Sequence, residues 1–138
     1  MNIVYSYFVL DIVHRGHLIM LKNSKAIAGP DGRLVVGIVS DEAVFEKKGK
    51  SPVLDFSERL ELANSIQYVD LVVGQQDYTP YQNVKMIAPN ILMESESHDD
   101  AQIKESKKLM GELGGRVIVM PYFHNQSSTL IKSKMSIV

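Results

Sequence analysis

His14 and His17 stand one helical turn apart with Gly16 between them, where residues 3–10 give way to the apolar stretch that begins at Leu18. The first run, β-branched and aromatic, reads as a buried strand, and the second as the opening of a helix. A strand-to-helix turn in an α/β protein aims unpaired backbone N–H groups at whatever lies beyond the strand ends, which is a natural seat for a phosphate. Two imidazoles on one side of that turn add donors, and a glycine lets a ligand come close to the backbone. The pattern points to a phosphate clamp whose histidines stabilise negative charge.

Other chemistries fit two histidines at this spacing. Zinc is one, but the chain has no cysteine and only His98 and His124 besides, so a metal site would have to borrow distant carboxylates. A solvated pair without function is another, disfavoured by the glycine and the strand–turn–helix setting. The third is structural: His14 caps the helix and His17 packs on the sheet edge.

The elements that must position these residues alternate along the whole chain. After the first strand and helix, the turn at residues 29–32 leads to a second strand at 33–39. Residues 45–52 are polar and lysine-rich, with Gly49 and Pro52 as breakers, and read as a mobile loop. Asp55 or Ser57 caps the next helix, with Leu60, Leu62, Ala63 and Ile66 on its inner side. Short strands follow at 71–73, 91–93 and 117–120, separated by a brief helix at 80–87 and a longer one capped by Asp99 or Asp100. That longer helix carries Ile103, Leu109, Met110 and Leu113 and stops at Gly114-Gly115. A last helix runs from about residue 128 to 135. Short strands without strict alternation, separated by helices, indicate a parallel sheet covered on both faces. Ligands in such folds sit beyond the carboxyl ends of the strands. The segments leaving those ends are 11–17, 40–50, 94–98 and 122–129, and the unusual polar residues are concentrated there.

With 138 residues, 45% of them hydrophobic, the chain is long enough for one domain with a real core, expected over residues 1–138. A net charge of −1 leaves no broad electrostatic footprint for nucleic acid or an anionic membrane. No apolar run reaches membrane-spanning length, and no basic segment precedes an apolar one at the start. The absence of cysteine fits a reducing compartment, so the expected location is cytoplasmic.

Asp11, His14, Gly16 and His17, followed by an apolar helix, resemble the D-x-x-H-x-G-H signature of the cytidylyltransferase-like nucleotidyltransferases. Three more stretches agree in order: Ser40-Asp41-Glu42 leading to Lys48-Gly49, Glu58-Arg59 leading to Tyr68-Val69-Asp70, and Ser127-Ser128-Thr129 with Lys132. The likeness spans about residues 4 to 132. Enzymes of this type include glycerol-3-phosphate, choline-phosphate and phosphonate cytidylyltransferases and the adenylyltransferase that makes ADP-heptose.

The resemblance implies a single Rossmann-like α/β domain, with a five-stranded, mostly parallel sheet and helices on both faces. It implies transfer of a nucleotidyl group from a nucleoside triphosphate to a small phosphorylated or phosphonate acceptor, with release of pyrophosphate; CTP is slightly preferred to ATP as donor. The acceptor is already an anion, so the reaction needs positioning and charge neutralisation rather than an activated nucleophile. His14 and His17 would donate to the α- and β-phosphates, Lys48 would reach across from its loop, and Mg²⁺ would bridge phosphate oxygens without direct protein ligands. Ser127, Ser128 and Thr129 would cradle the β/γ-phosphates at the start of the last helix. Phe8, Val9, Asp11, Gly16, Arg59, Glu94, Ser95 and Ser97 complete the nucleotide-binding set. A homodimer is implied as well.

Each of these residues also has a plainer reading. The Ser-Ser-Thr triplet can be only a helix cap. Lys47, Lys48 and Lys50 can be merely solvated, and Arg59 can bond Glu58 or Asp55 on a helix surface. Tyr68 leads directly into a strand and reads as core. The sequence also departs from the family pattern. Phe8 stands where relatives have a glycine, residues 94–98 replace a Gly-Gly-Asp or Gly-Asp-Asp run, and residues 122–125 replace an Arg-Thr-Glu-Gly type stretch. Bulk at Phe8 and negative charge at Glu94 and Glu96 keep open an alternative, a nucleotide-binding domain of the same fold with weakened catalysis.

Overall fold

All five strand-forming runs join one sheet. The computed structural model describes residues 1–121 and 128–135, with the backbone alone for Ser128 and Leu130. Its elements are β1 (Ile3–Phe8), α1 (Arg15–Ala28), β2 (Arg33–Val39), α2 (Asp41–Lys48), α3 (Phe56–Asn64), β3 (Leu71–Gln75), α4 (Tyr81–Ile87), β4 (Ile91–Ser95), α5 (Asp100–Glu112), β5 (Arg116–Met120) and α6 (Ser128–Met135). The sheet order is β3-β2-β1-β4-β5, and every neighbouring pair is parallel, so the expected α/β fold stands and the mostly parallel sheet is wholly so.

Side chains alternate between the two faces of the sheet. Val4, Val36, Ile38 and Met93 pack with Leu21 and Ala28 of α1 and Ala63 of α3. Tyr5, Tyr7, Val35 and Leu92 pack on the other face with Val84 of α4 and Leu109 and Met110 of α5. Tyr68 joins the first cluster, as its position before β3 suggested. Gly37 is required by this packing, because a Cβ there would lie 2.0 Å from the Tyr5 hydroxyl.

The stretch expected as a mobile loop at 45–52 is helical to Lys48. Its helix has little apolar pattern to betray it, since only Ala43 and Val44 are buried. It is held instead at its ends. The Ser40 hydroxyl accepts from Ala43 N at 3.2 Å, Asp41 and Glu42 sit in the first turn, and Lys47 and Lys48 in the last. Gly49 then closes it at φ +76°. One inner-face expectation also fails, and one residue expected within a helix ends it instead. Leu62 is exposed, since α3 buries Arg59 and Ala63 instead, and Leu113 is the exposed C-cap of α5. Asp55 and Asp99 are the caps of α3 and α5, accepting from Glu58 N and Ala101 N.

Candidate functional site

The strand order reverses between β1 and β4, and a cleft of about 780 Å³ opens beyond their carboxyl ends. β1 stops at Phe8, so Val9 and Leu10 belong to the turn above it rather than to the strand. Leu10 is buried with φ +58°, an uncommon backbone state for a branched side chain, so the turn that feeds α1 is strained.

At the end of that turn His14 is the N-cap of α1. Its Nδ1 accepts from Gly16 N at 3.0 Å, and His17 Nδ1 accepts in return from His14 N at 3.2 Å. The pair is a capping box made of imidazoles, and the capping role considered for His14 is therefore real. It does not compete with a chemical role. With both Nδ1 atoms accepting, each neutral ring carries its proton on Nε2 and is a donor there. The ring centroids lie 3.9 Å apart, and the Phe8 ring meets His17 edge-on at 5.9 Å. Burial, then the neighbouring His14, pushes His17 down to about 3, and burial lowers His14 as well. The donors are thus neutral N–H groups at neutral pH.

Asp11 ties the walls of the cleft together. Its carboxylate accepts from Val53 N at 2.9 Å and Leu54 N at 2.8 Å, and Lys132 of α6 reaches the same group. Burial pushes Asp11 up, but the Leu54 N–H, Lys132 and the Val53 N–H outweigh it and hold the carboxyl below the usual range. Lys48 faces the cleft from the end of α2; partial burial of its ammonium, then Lys132 and Lys50, lower it against the opposing pull of Asp11.

The structure gathers Phe8, Val9, Asp11, His14, Gly16, His17, Lys48, Ser95, Ser97 and Thr129 around this cleft. Arg59 and Glu94 are not on its surface. Arg59 is fully buried, and its guanidinium bonds the carbonyls of Val9 (2.7 Å), Val39 (2.8 Å) and Leu54 (3.0 Å) and the carboxylate of Asp41 (2.7 Å). It holds the ends of β1 and β2 and the segment before α3, and neither the Glu58 nor the Asp55 carboxylate is the guanidinium's partner. Glu94 is fully buried behind the cleft. Ser127 and residues 122–125 lie outside the described residues, and the hydroxyl of Ser128 is not described. Sequence reasoning passed over Lys50, Lys132 and His98 as site residues, although all three line the cleft. Lys132 had a signal, one helical turn after Thr129. Among the described residues no group of three His, Cys, Asp or Glu side chains could hold a metal ion.

The cytidylyltransferase-like family model matches residues 9–134. The chain belongs to the cytidylyltransferase-like family. A FAD synthase of Korarchaeum cryptofilum is 32% identical over 123 residues, 88% of this chain and 82% of that protein. The bifunctional protein HldE of Coxiella burnetii is 29% identical over 135 residues; the match takes 97% of this chain but only 28% of HldE. Among solved structures, a lipopolysaccharide core biosynthesis protein of Thermoplasma volcanium aligns with a TM-score of 0.71 at 28% identity, covering 89% of this chain and 97% of that one. This member of the cytidylyltransferase-like family is thus a nucleotidyltransferase, an enzyme built on a Rossmann-like sheet. None of its described helices is long and apolar enough to cross a membrane.

Proposed function

We propose that the enzyme transfers AMP or CMP from the nucleoside triphosphate to a small phosphorylated acceptor. An acceptor phosphate oxygen bonds to the α-phosphorus as the bond from that phosphorus to the α,β-bridging oxygen breaks, and pyrophosphate leaves with the electron pair. The observation that carries this reading is the imidazole capping box, which presents two neutral Nε2–H donors beside the N-terminus of α1. Such donors, fixed before the reaction, stabilise charge developing on the α-phosphate. Lys48 and Lys132 supply positive charge to the leaving pyrophosphate, and Thr129 a hydroxyl at the start of α6. Asp11 spends its oxygens on two N–H groups and a lysine, so Mg²⁺ would be held by the triphosphate's own oxygens and neutralise part of their charge.

The CTP preference implied by the resemblance is opposed by the FAD synthase relative, whose product contains an adenylyl group. Calorimetric titration with ATP and with CTP, each with Mg²⁺, decides the donor. Pyrophosphate release with flavin mononucleotide, glycerol 3-phosphate and phosphocholine then tests the transfer. If neither nucleotide binds below the millimolar range, the reading fails; steady release with one acceptor removes the alternative of a binding domain without turnover. A single domain over residues 1–138, a cytoplasmic location and a homodimer complete the proposal, and equilibrium sedimentation tests the last.

A further inference from the structure

Asn23 and Ser24 stand side by side within α1, and neither type is a strong helix former. Ser24 is buried and accounted for: its hydroxyl donates to the Met20 carbonyl at 2.8 Å and lies 3.1 Å from the Ser6 hydroxyl. Asn23 is half-buried, and among the described residues its carboxamide has no hydrogen-bond partner. The other half-buried asparagines among the described residues behave differently. Asn2 donates to the Ile27 carbonyl at 3.2 Å and Asn83 to the Gly74 carbonyl at 2.9 Å. An asparagine inside a helix ordinarily bonds back to its own backbone or turns out to water. The Asn23 side chain instead lines the cleft.

Gly16, Ile19, Met20 and Asn23 share one face of α1, because residues three and four apart lie one above another. Met93 of β4 and Met120 of β5 belong to the core cluster under α1 and line the same space. The cleft thus continues from the imidazole pair along α1 between apolar side chains, with one unpaired amide in the wall. Apolar walls with few polar groups hold a small organic group, not a phosphate. Asn23 is six residues past His17, which is about 9 Å along a helix axis. Its side chain leans back over the turn of Ile19 and Met20. With the α-phosphate on the imidazoles, the ribose and base remain to fill that length. A base has two apolar faces, which suit isoleucine and methionine, and a polar edge that must be met by hydrogen bonds once water is displaced.

On the nucleotidyl-transfer reading above, on which this rests, we infer that Asn23 is a specificity-determining residue that reads the base of the donor nucleotide. Its Oδ1 accepts from an exocyclic amino group, and its Nδ2 donates to the ring nitrogen beside that group. Adenine and cytosine share this edge, so ATP and CTP both present it. A base without the amino group leaves Oδ1 unpaired in a site emptied of water, and such unpaired groups are what make a site selective. Leucine or alanine would suit the helix better, so the asparagine is kept against helix propensity, as functional residues commonly are.

Calorimetric titration in the presence of Mg²⁺ tests the assignment. ATP and CTP are compared with the analogues that lack only the exocyclic amino group, purine riboside triphosphate and zebularine triphosphate. Whichever natural nucleotide is the donor binds the wild type about tenfold more tightly than its analogue, the effect of one hydrogen bond left unmade. In Asn23→Leu that preference falls below about twofold, through weaker binding of the natural nucleotide, while the Kd of the analogue stays within about threefold of wild type. The variant melts at or above the wild-type temperature, since leucine is the better helix former. Asn23→Ala repeats the comparison without added bulk. A wild type that does not distinguish nucleotide from analogue, variants that keep the preference, or variants that lose both ligands equally overturn the inference and leave nucleotidyl transfer standing. Failure of both ATP and CTP to bind the wild type overturns both.

Discussion

The Arg59 guanidinium meets the Asp41 carboxylate at 2.7 Å while its other nitrogens hold three carbonyls, so one side chain stitches α2, α3 and the ends of β1 and β2. Removing it leaves buried carbonyls without a donor, and Arg59→Met is expected to cost on the order of 3 kcal/mol or more in urea denaturation. Arg59→Lys recovers little, because an ammonium cannot reproduce the planar fork. If Arg59→Met keeps wild-type stability and loses only nucleotide affinity, the residue is a ligand contact after all.

His14 combines a cap with a donor, and one substitution separates them. His14→Asn supplies a side-chain oxygen of the type favoured at an N-cap, so its melting point stays near wild type, whereas His14→Ala loses about 1 kcal/mol. Both lack the Nε2–H and lose turnover by about 10²–10³-fold. Turnover that survives in His14→Asn makes the histidine a cap and nothing more. The readout pairs thermal melting with pyrophosphate release.

The chemistry was more legible than its supports. His14, Gly16 and His17 announce themselves because their types and spacing are rare at a strand-to-helix turn, and the strands show as apolar runs. Arg59 and Glu94 could not be placed, since charged residues are almost never fully buried and local sequence says nothing of partners fifty or more residues away. Arg59 finds Val9, and Glu94 finds Tyr7, only once the sheet is assembled. α2 was hidden for another reason: it is held by Ser40, Gly49 and end charges, and periodicity does not register those.

The depressed pKa of His17 makes folding pH-dependent in a defined direction. In the unfolded chain the ring takes a proton near 6.5, and in the folded protein only near 3. Stability from this residue is therefore complete above about 6.5 and lost progressively as pH falls toward 3. His14, lowered in the same sense, adds to the decline, and Asp11 adds to it below its unfolded value of 3.8. His17→Gln keeps a side chain suited to the third position of a capping box but does not titrate. Its urea midpoint should match wild type at pH 8 and fall less than wild type between pH 6.5 and 4.5. Parallel curves for the two proteins rule out His17 as the source of the acid sensitivity.

Lys48 and Lys50 both line the cleft, and the structure separates them where composition could not. Lys48 ends α2, and its partly buried ammonium feels Lys132 and Asp11; Lys50 follows the left-handed Gly49, and the field it exerts is the weakest among the causes that lower Lys48. A partly desolvated cation gains more from a phosphate than a solvated one, because its competing water has already been removed. Lys48→Ala is therefore expected to slow pyrophosphate release by about 10²-fold, and Lys50→Ala by less than about threefold, each measured at saturating nucleotide. Thermal melting of both variants should stay close to wild type, since neither lysine fills the core. Lys48→Arg tests the same point from the other side: charge is kept, and much of the rate returns if a cation alone is required. Should Lys50→Ala prove the slower enzyme, the assignment of the phosphate-reaching lysine moves past Gly49, and the end of α2 serves only to support it.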